Sequence, residues 1–427
     1  QVAVGRDSRL SGPTLCGWLC DAMVQQGLQV TDFGMASTPA MFMATVTEGY
    51  LFDGTVMITA SHLPFNRNGF KFFTCKGGLE KEDIKKILAY AGSDAATGLP
   101  KGSLAEGAFM DTYAKAVSQL KAAVEAKAEG ICHPILLGND ERIEKLAREL
   151  DLSLEGIEVI NLRHDREAER RERYARILSE KRARQGVNFQ EANDKMFERN
   201  YFGMMMVETG DADAFITGLY TKYSNTIKVA KEVIGIRPEY KHFGTMHLVN
   251  SKKGIYFIAD TLINRHPNKE ALLDLAKLSA STVRFFNRTP IIAMLSYSNF
   301  GTDTVGSPAI VHEVVEQMQR EYPDLAIDGE MQLNFAMDKD LRDEKYPFTR
   351  LKGLDVNTLL FPNLTSANAS YKIVKSMVDE GEVIGPIQMG LNKPIHFTDF
   401  ESSVRDIVNI TAVAVLDAIV QEKKNGK

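Results

Sequence analysis

The chain has 427 residues, which at roughly 150 residues per domain predicts two to four domains with sizeable cores. It is 44% hydrophobic and 25% charged, and a net charge of -5 argues against a nucleic-acid polyanion as the main partner. No apolar run approaches the ~18 residues of a spanning helix, so no membrane partner is expected. Four scattered cysteines, Cys16, Cys20, Cys75 and Cys132, make no disulfide framework and point to a reducing, cytoplasmic setting. The start, Gln1-Val2-Ala3-Val4-Gly5, has no charged n-region, no apolar h-region and no initiator Met, and reads as a fragment or processed chain rather than a secretory precursor.

In chain order the pattern predicts a strand at Gln1 to Val4, a helix at Gly12 to Gln26, a strand at Leu28 to Phe33 and a helix at Thr38 to Glu48. Strands at Val56 to Thr59 and Phe70 to Phe73 and a helix at Lys81 to Ala89 follow. This alternation implies a mainly parallel sheet with helices on both faces. Ala95 to Gly107, rich in Gly, Ala, Pro and Ser, reads as a loop or linker. An alanine-rich helix from about Met110 to Glu129 then ends at Gly130. A second α/β rhythm opens with Ile131 to Leu137, Asp140 to Leu150 and Ile157 to Asn161 and persists to the end. Within it, Arg163 to Arg184 carries nine Lys or Arg and five Asp or Glu. Glu167 with Arg171, Glu169 with Arg173 and Glu172 with Arg176 have the i,i+4 spacing of ion pairs on a solvated helix.

Two constellations carry chemistry. In the first, the strand Val56-Met57-Ile58 runs into Thr59-Ala60-Ser61-His62-Leu63-Pro64, with Lys71 close behind. A hydroxyl on a tight turn beside His and Lys suits phosphoryl transfer through a covalent serine, although a lone Ser-His pair equally fits a hydrogen-bonded turn. Gly5-Arg6-Asp7-Ser8-Arg9 adds two guanidinium forks suited to phosphate oxygens. With Gly34-Met35-Ala36-Ser37-Thr38-Pro39, these motifs resemble the first domain of the α-D-phosphohexomutases, the phosphoglucomutase and phosphomannomutase family, over roughly residues 1–120. The resemblance implies Ser61 as phosphoserine carrier and Mg²⁺ partner, His62 and Lys71 as acid/base or electrostatic neighbours, and Arg6 and Arg9 near the phosphate. Leu63 stands where many members carry Asn. The family's Asp-Gly-Asp-type Mg²⁺ loop has no counterpart downstream, since Gly210-Asp211-Ala212-Asp213-Ala214 has the wrong spacing. The chain alone is therefore not expected to be a competent mutase.

In the second constellation, the strand Ile291 to Leu295 leads into Ser296-Tyr297-Ser298-Asn299-Phe300-Gly301. Short donors at a strand's carboxyl end suit an anionic ligand, and a plain turn is the alternative. Related strand-turn units occur at Gly210 to Gly218, at Ile327-Asp328-Gly329-Glu330-Met331-Gln332 and at Leu359 to Leu364. With Gly385-Pro386-Ile387 and Lys393-Pro394-Ile395 they resemble the phosphate acetyltransferase family from about Lys121 to the end. The closest resemblance is to the phosphotransacetylase-like C-terminal domain of large bacterial NADP-dependent malic enzymes. The implied fold is α/β: a phosphohexomutase-type α/β/α domain at 1–120, then a two-lobed phosphotransacetylase-like (isocitrate/isopropylmalate-dehydrogenase-like) α/β domain at 121–427. The implied role is regulatory and oligomer-forming, with acetyl-CoA or an acyl phosphate as ligand, a homo-oligomer, and a groove lined by Ser296, Ser298, Asn299, Asp328 and Asn363.

Authentic phosphotransacetylases carry Ser-Arg-Gly after the Lys-Pro-Val turn. Here the corresponding stretch is Phe397-Thr398-Asp399-Phe400, Lys228 stands where a second Arg is usual, and Asn334 replaces a common Asp. A carboxylate where the catalytic Arg belongs opposes a phosphate dianion, so the expected domain is catalytically degenerate. Two alternatives stay open: an active acetyltransferase in which Arg405 or Arg284 substitutes for the missing Arg, and a phosphohexomutase fragment that retains a phosphorylated Ser61. His164, His242, His247, His266 and His312 show no metal-like spacing and read as surface or satisfied core residues.

Overall fold

The computed structural model describes residues 1–61, 67–91, 100–107, 109–218, 223–377, 381–399 and 402–424. The chain divides into two units, Gln1–Val124 with Gly138–Val159 and Glu125–Leu137 with Ile160–Lys427.

In the first unit, strand Val2–Arg6 is the centre of a six-stranded sheet. Gly54–Ile58 and Gln29–Met35 flank it in parallel, and Phe70–Thr74 pairs antiparallel with Gly54–Ile58. Strand alternation sends successive residues to opposite faces. Ala3 and Met57 thus pack with Met41 and Phe42, whereas Val4 and Ile58 pack with Cys16, Cys20 and Val24. Helix Gly12–Gln25, with Pro in its first turn, supplies the latter face. It ends at Gly27, whose φ of +84° suits a residue without Cβ.

Helix Thr38–Met43 is shorter than its sequence pattern predicts. The Thr45 and Thr47 hydroxyls bond back to the Phe42 and Met43 carbonyls, each at 2.7 Å, an alternative to continued helical bonding. The predicted linker also needs correction. Ser103–Glu106 is a strand pairing in parallel with Gln29–Met35. All four of its residues are exposed, so it lacks the alternation that marks a half-buried strand. Gly102 is needed at its entry, because a Cβ there would lie 1.8 Å from the Leu28 carbonyl oxygen.

The second unit has a six-stranded sheet in the order Ala326–Met331, Ile291–Leu295, Thr358–Leu360, Gly254–Ala259, Gly244–Ser251 and Glu382–Met389. Its first four strands are parallel and the last two join antiparallel. Helices Lys269–Phe285 and Ser307–Glu321 bury Leu272, Leu275, Val311 and Val314 against one face, and Ala336, Leu351 and Tyr371 fill the other. A second lobe of this unit packs helix Arg199–Thr209 with the parallel pair Phe215–Gly218 and Ile395–Thr398.

The charge-rich helix Ala168–Arg182 is not the uniformly solvated rod its composition suggests. Of the three expected pairs, Arg176 with Glu172 forms at 2.9 Å. Arg171 turns inward and donates to the Leu162 and His164 carbonyls at 2.7 and 2.9 Å. Arg173 and the Tyr174 hydroxyl both reach Asp211, so the Gly210-Asp211 turn is occupied structurally. Among the described residues, no helix is long and apolar enough to cross a membrane.

Candidate functional site

The parallel strands of the first unit bring its three motifs to one carboxyl edge. Asp7 N donates to the Ile58 carbonyl at 3.1 Å and Ala36 N to the Arg6 carbonyl at 2.8 Å. Strand order reverses across Val2–Arg6, with Gln29–Met35 on one side and Gly54–Ile58 on the other, and crevices at such switch points are the usual ligand sites of open α/β sheets.

Ser61 is exposed there at a φ of +53°, held by its amide, which donates to Thr59 Oγ1 at 3.0 Å. Arg9 reaches across the crevice: Nη2 donates to the Ser61 carbonyl at 2.7 Å, Nη1 to the Arg67 carbonyl at 3.1 Å and Nε to Asp7 at 2.9 Å. Burial works against the Asp7 carboxylate, but bonds from Thr59 and Arg9 outweigh it and hold the carboxyl below its ordinary range. Arg6 is half-buried at the strand end, Lys71 is exposed on Phe70–Thr74, and His62 lies outside the described residues. The described groups around Ser61 are a guanidinium and one carboxylate already bonded to Thr59 and Arg9. That donor set does not fit Mg²⁺, which needs several free hard oxygens.

In the second unit, Ser296, Ser298 and Asn299 share one turn at the carboxyl end of Ile291–Leu295. The two serine hydroxyls lie 3.1 Å apart, and Asn299 Oδ1 accepts from Gln332 N at 2.9 Å. The turn is braced by Glu330, which sequence reasoning did not single out. Its carboxylate is fully buried, accepts from Gly301 N at 2.5 Å and lies 3.4 Å from His312 Nδ1. A Glu inside a strand pattern carries no local signal of such a role; only the fold reveals it.

The other two residues are engaged elsewhere. Asp328 Oδ2 accepts from Thr349 Oγ1 at 2.7 Å and Arg350 N at 2.8 Å, while Oδ1 accepts from Gln319 at 3.1 Å. Asn363 Oδ1 accepts from Ser366 N at 3.0 Å, in the first turn of helix Leu364–Met377.

Asp399 follows strand Ile395–Thr398, accepts from the Tyr371 hydroxyl at 3.4 Å and faces Lys372 at 3.8 Å. Tyr371 stacks on His247 with ring centroids 4.0 Å apart. His247 also bonds Thr261 Oγ1 at 2.8 Å, and burial pushes its pKa down to about 3. Arg405 pairs with Glu129 at 3.1 Å and Glu125 at 3.7 Å, Arg284 is exposed near the end of its helix, and Lys228 faces Glu232 at 3.8 Å. Asn334 is exposed.

Residues 113–415 match the phosphate acetyl/butaryl transferase family, and residues 1–97 match the phosphoglucomutase/phosphomannomutase α/β/α domain I. The NADP-dependent malic enzyme of Salmonella typhimurium is 35% identical over 304 residues, 70% of this chain and 39% of that enzyme. The chain thus spans about two fifths of the malic enzymes it matches. A phosphate acetyltransferase of Thermoanaerobacterium thermosaccharolyticum is 32% identical over 306 residues, covering 70% of this chain and 91% of that protein. A phosphotransacetylase crystal structure from Streptococcus pyogenes superposes with a TM-score of 0.64 at 29% identity, covering 71% of this chain and 91% of that one.

Proposed function

The chain belongs to the phosphate acetyl/butaryl transferase family, which its residues 113–415 match, and from that premise we propose that its second unit holds acetyl-CoA or an acyl phosphate without turning it over. In this reading it is a regulatory, homo-oligomer-forming domain of the malic-enzyme type.

One observation carries the proposal. Asp399 directly follows strand Ile395–Thr398, within the stretch that by resemblance corresponds to the Ser-Arg-Gly of active transferases. A preorganised cation stabilises the charge of an acyl phosphate during transfer; a carboxylate at that point opposes it. Lys372 and the Tyr371 hydroxyl stabilise the carboxylate in place. Arg405 lies 3.1 and 3.7 Å from two glutamates and Arg284 is exposed, so neither is held toward Asp399 by a bond. Ser296, Ser298 and Asn299 would hold the polar part of the ligand. Unpaired thiols fit a reducing, cytoplasmic setting. The test is thioester formation from CoA and acetyl phosphate by the full chain: none above background is expected, and turnover would overturn the non-catalytic reading.

A second reading concerns the first unit, favoured by the exposed Ser61 at a switch-point crevice. In this reading Ser61 is a phosphate acceptor. Intact mass before and after phosphatase checks it, and the absence of a one-phosphate step in protein expressed with phosphosugars present would count against it.

A further inference from the structure

The first unit carries a cluster that neither constellation uses. Cys16 and Cys20 lie four residues apart on helix Gly12–Gln25, so their thiols share one face. Both are 2% exposed. Asp32, on the neighbouring strand Gln29–Met35, meets that face. One ligand atom from each of the three residues lies within 4.8 Å of the others, and this is the one such group of three or more His, Cys, Asp or Glu among the described residues.

We propose that Cys16, Cys20 and Asp32 form a binding site for a thiophilic divalent cation of the Zn²⁺ class. The geometry carries the assignment. Zinc bonds of about 2.3 Å to sulfur and about 2.0 Å to a carboxylate oxygen, at a tetrahedral angle, separate the two ligand atoms by roughly 3.5 Å. Cys16 Sγ and Asp32 Oδ1 stand 3.5 Å apart, a spacing at which the thiol donates to the carboxylate until a metal displaces its proton. Asp32 Oδ1 also accepts from Gly34 N at 2.7 Å, the outer-shell bond that orients a metal-ligating carboxylate.

The surroundings distinguish this trio from two ordinary core cysteines. Val4, Val24, Val30 and Ile58 enclose the thiols in apolar contacts, and a carboxylate placed against that core gains from a cation what it loses in hydration. Two thiolates favour a soft ion, while the carboxylate disfavours Cu⁺ and leaves Zn²⁺ as the better match. Water would complete the coordination from the side of Asp32, which is half-buried. Gly12 N donates to the Arg9 carbonyl at 2.9 Å, so an ion bolting this helix to Gln29–Met35 also steadies the loop that holds Ser61.

The test is titration of the reduced, metal-free full chain with Co²⁺ as spectroscopic probe. One equivalent should saturate a thiolate-to-metal charge-transfer band together with the visible bands of tetrahedral cobalt, and Zn²⁺ should displace them. Cys16→Ala and Cys20→Ala should abolish the charge-transfer band, Asp32→Asn should weaken Co²⁺ binding at least tenfold, and the double variant Cys75→Ser with Cys132→Ser should leave it unchanged. Circular dichroism confirms that each variant is folded, and if either alanine variant is not, Asp32→Asn decides. A wild-type chain without the band, a band that survives loss of both Cys16 and Cys20, or one removed by the Cys75 and Cys132 changes would overturn the proposal.

Discussion

Arg9 donates through Nη2 to the main-chain carbonyl of Ser61 at 2.7 Å, joining loops 52 residues apart in the chain. The guanidinium that resembles a phosphate ligand is thus also a brace for the serine turn, since it holds the Arg67 carbonyl and Asp7 as well. Arg9→Ala removes the donor from these acceptors, which water can reach, and should destabilise the first unit by about 0.5–1.5 kcal/mol. Limited proteolysis within Gln1–Val124 across a denaturant series follows unfolding of that unit and reads the loss. Arg9→Lys should recover only part of the loss, because an ammonium cannot reproduce the planar fork.

His247 gives the second unit a pH dependence of defined sign. Burial lowers its folded pKa to about 3, so the native ring stays neutral while the unfolded ring takes a proton near the ordinary 6.5. The contribution is fully present above about 6.5 and is lost as pH falls from there toward the folded value. Denaturation of the second unit between these limits should show stability falling with pH, and His247→Gln should flatten that slope. An unchanged slope would assign it to other groups.

Glu330 sets the shape of the Ser296–Gly301 turn through its 2.5 Å bond from Gly301 N. Glu330→Ala removes the acceptor from a fully buried position and should weaken acetyl-CoA binding by about tenfold, roughly 1.4 kcal/mol. Glu330→Gln keeps an acceptor oxygen and should lose less. Equal losses in both variants would mean that the charge, not the bond to Gly301, matters.

Asp399 permits a direct comparison. Asp399→Asn removes the carboxylate charge that, in the proposed reading, opposes an acyl phosphate, while keeping an acceptor for Tyr371. Acetyl phosphate should bind more tightly to this variant than to the wild type, and unchanged affinity would place the ligand away from Asp399.

Both families were legible because their motifs are turns at strand ends, where backbone geometry restricts residue choice: Ser61 after Gly54–Ile58 and Ser296 to Gly301 after Ile291–Leu295. What stayed hidden depends on long-range partners. Nothing around Asp328 announces that Thr349, Arg350 and Gln319 would saturate it, and a helix pattern did not reveal that Arg171 turns inward to two carbonyls. Strand Ser103–Glu106 escaped because an exposed edge strand has no buried face to impose alternation. The i,i+4 spacing of Cys16 and Cys20 was visible, but the third member, Asp32, is brought to them only by the packing of helix on sheet.

Isothermal titration of the full chain with acetyl-CoA tests the central claim most directly. The account predicts saturable heat, weakened in the Glu330→Ala variant. No heat and no thermal stabilisation at millimolar acetyl-CoA would contradict it.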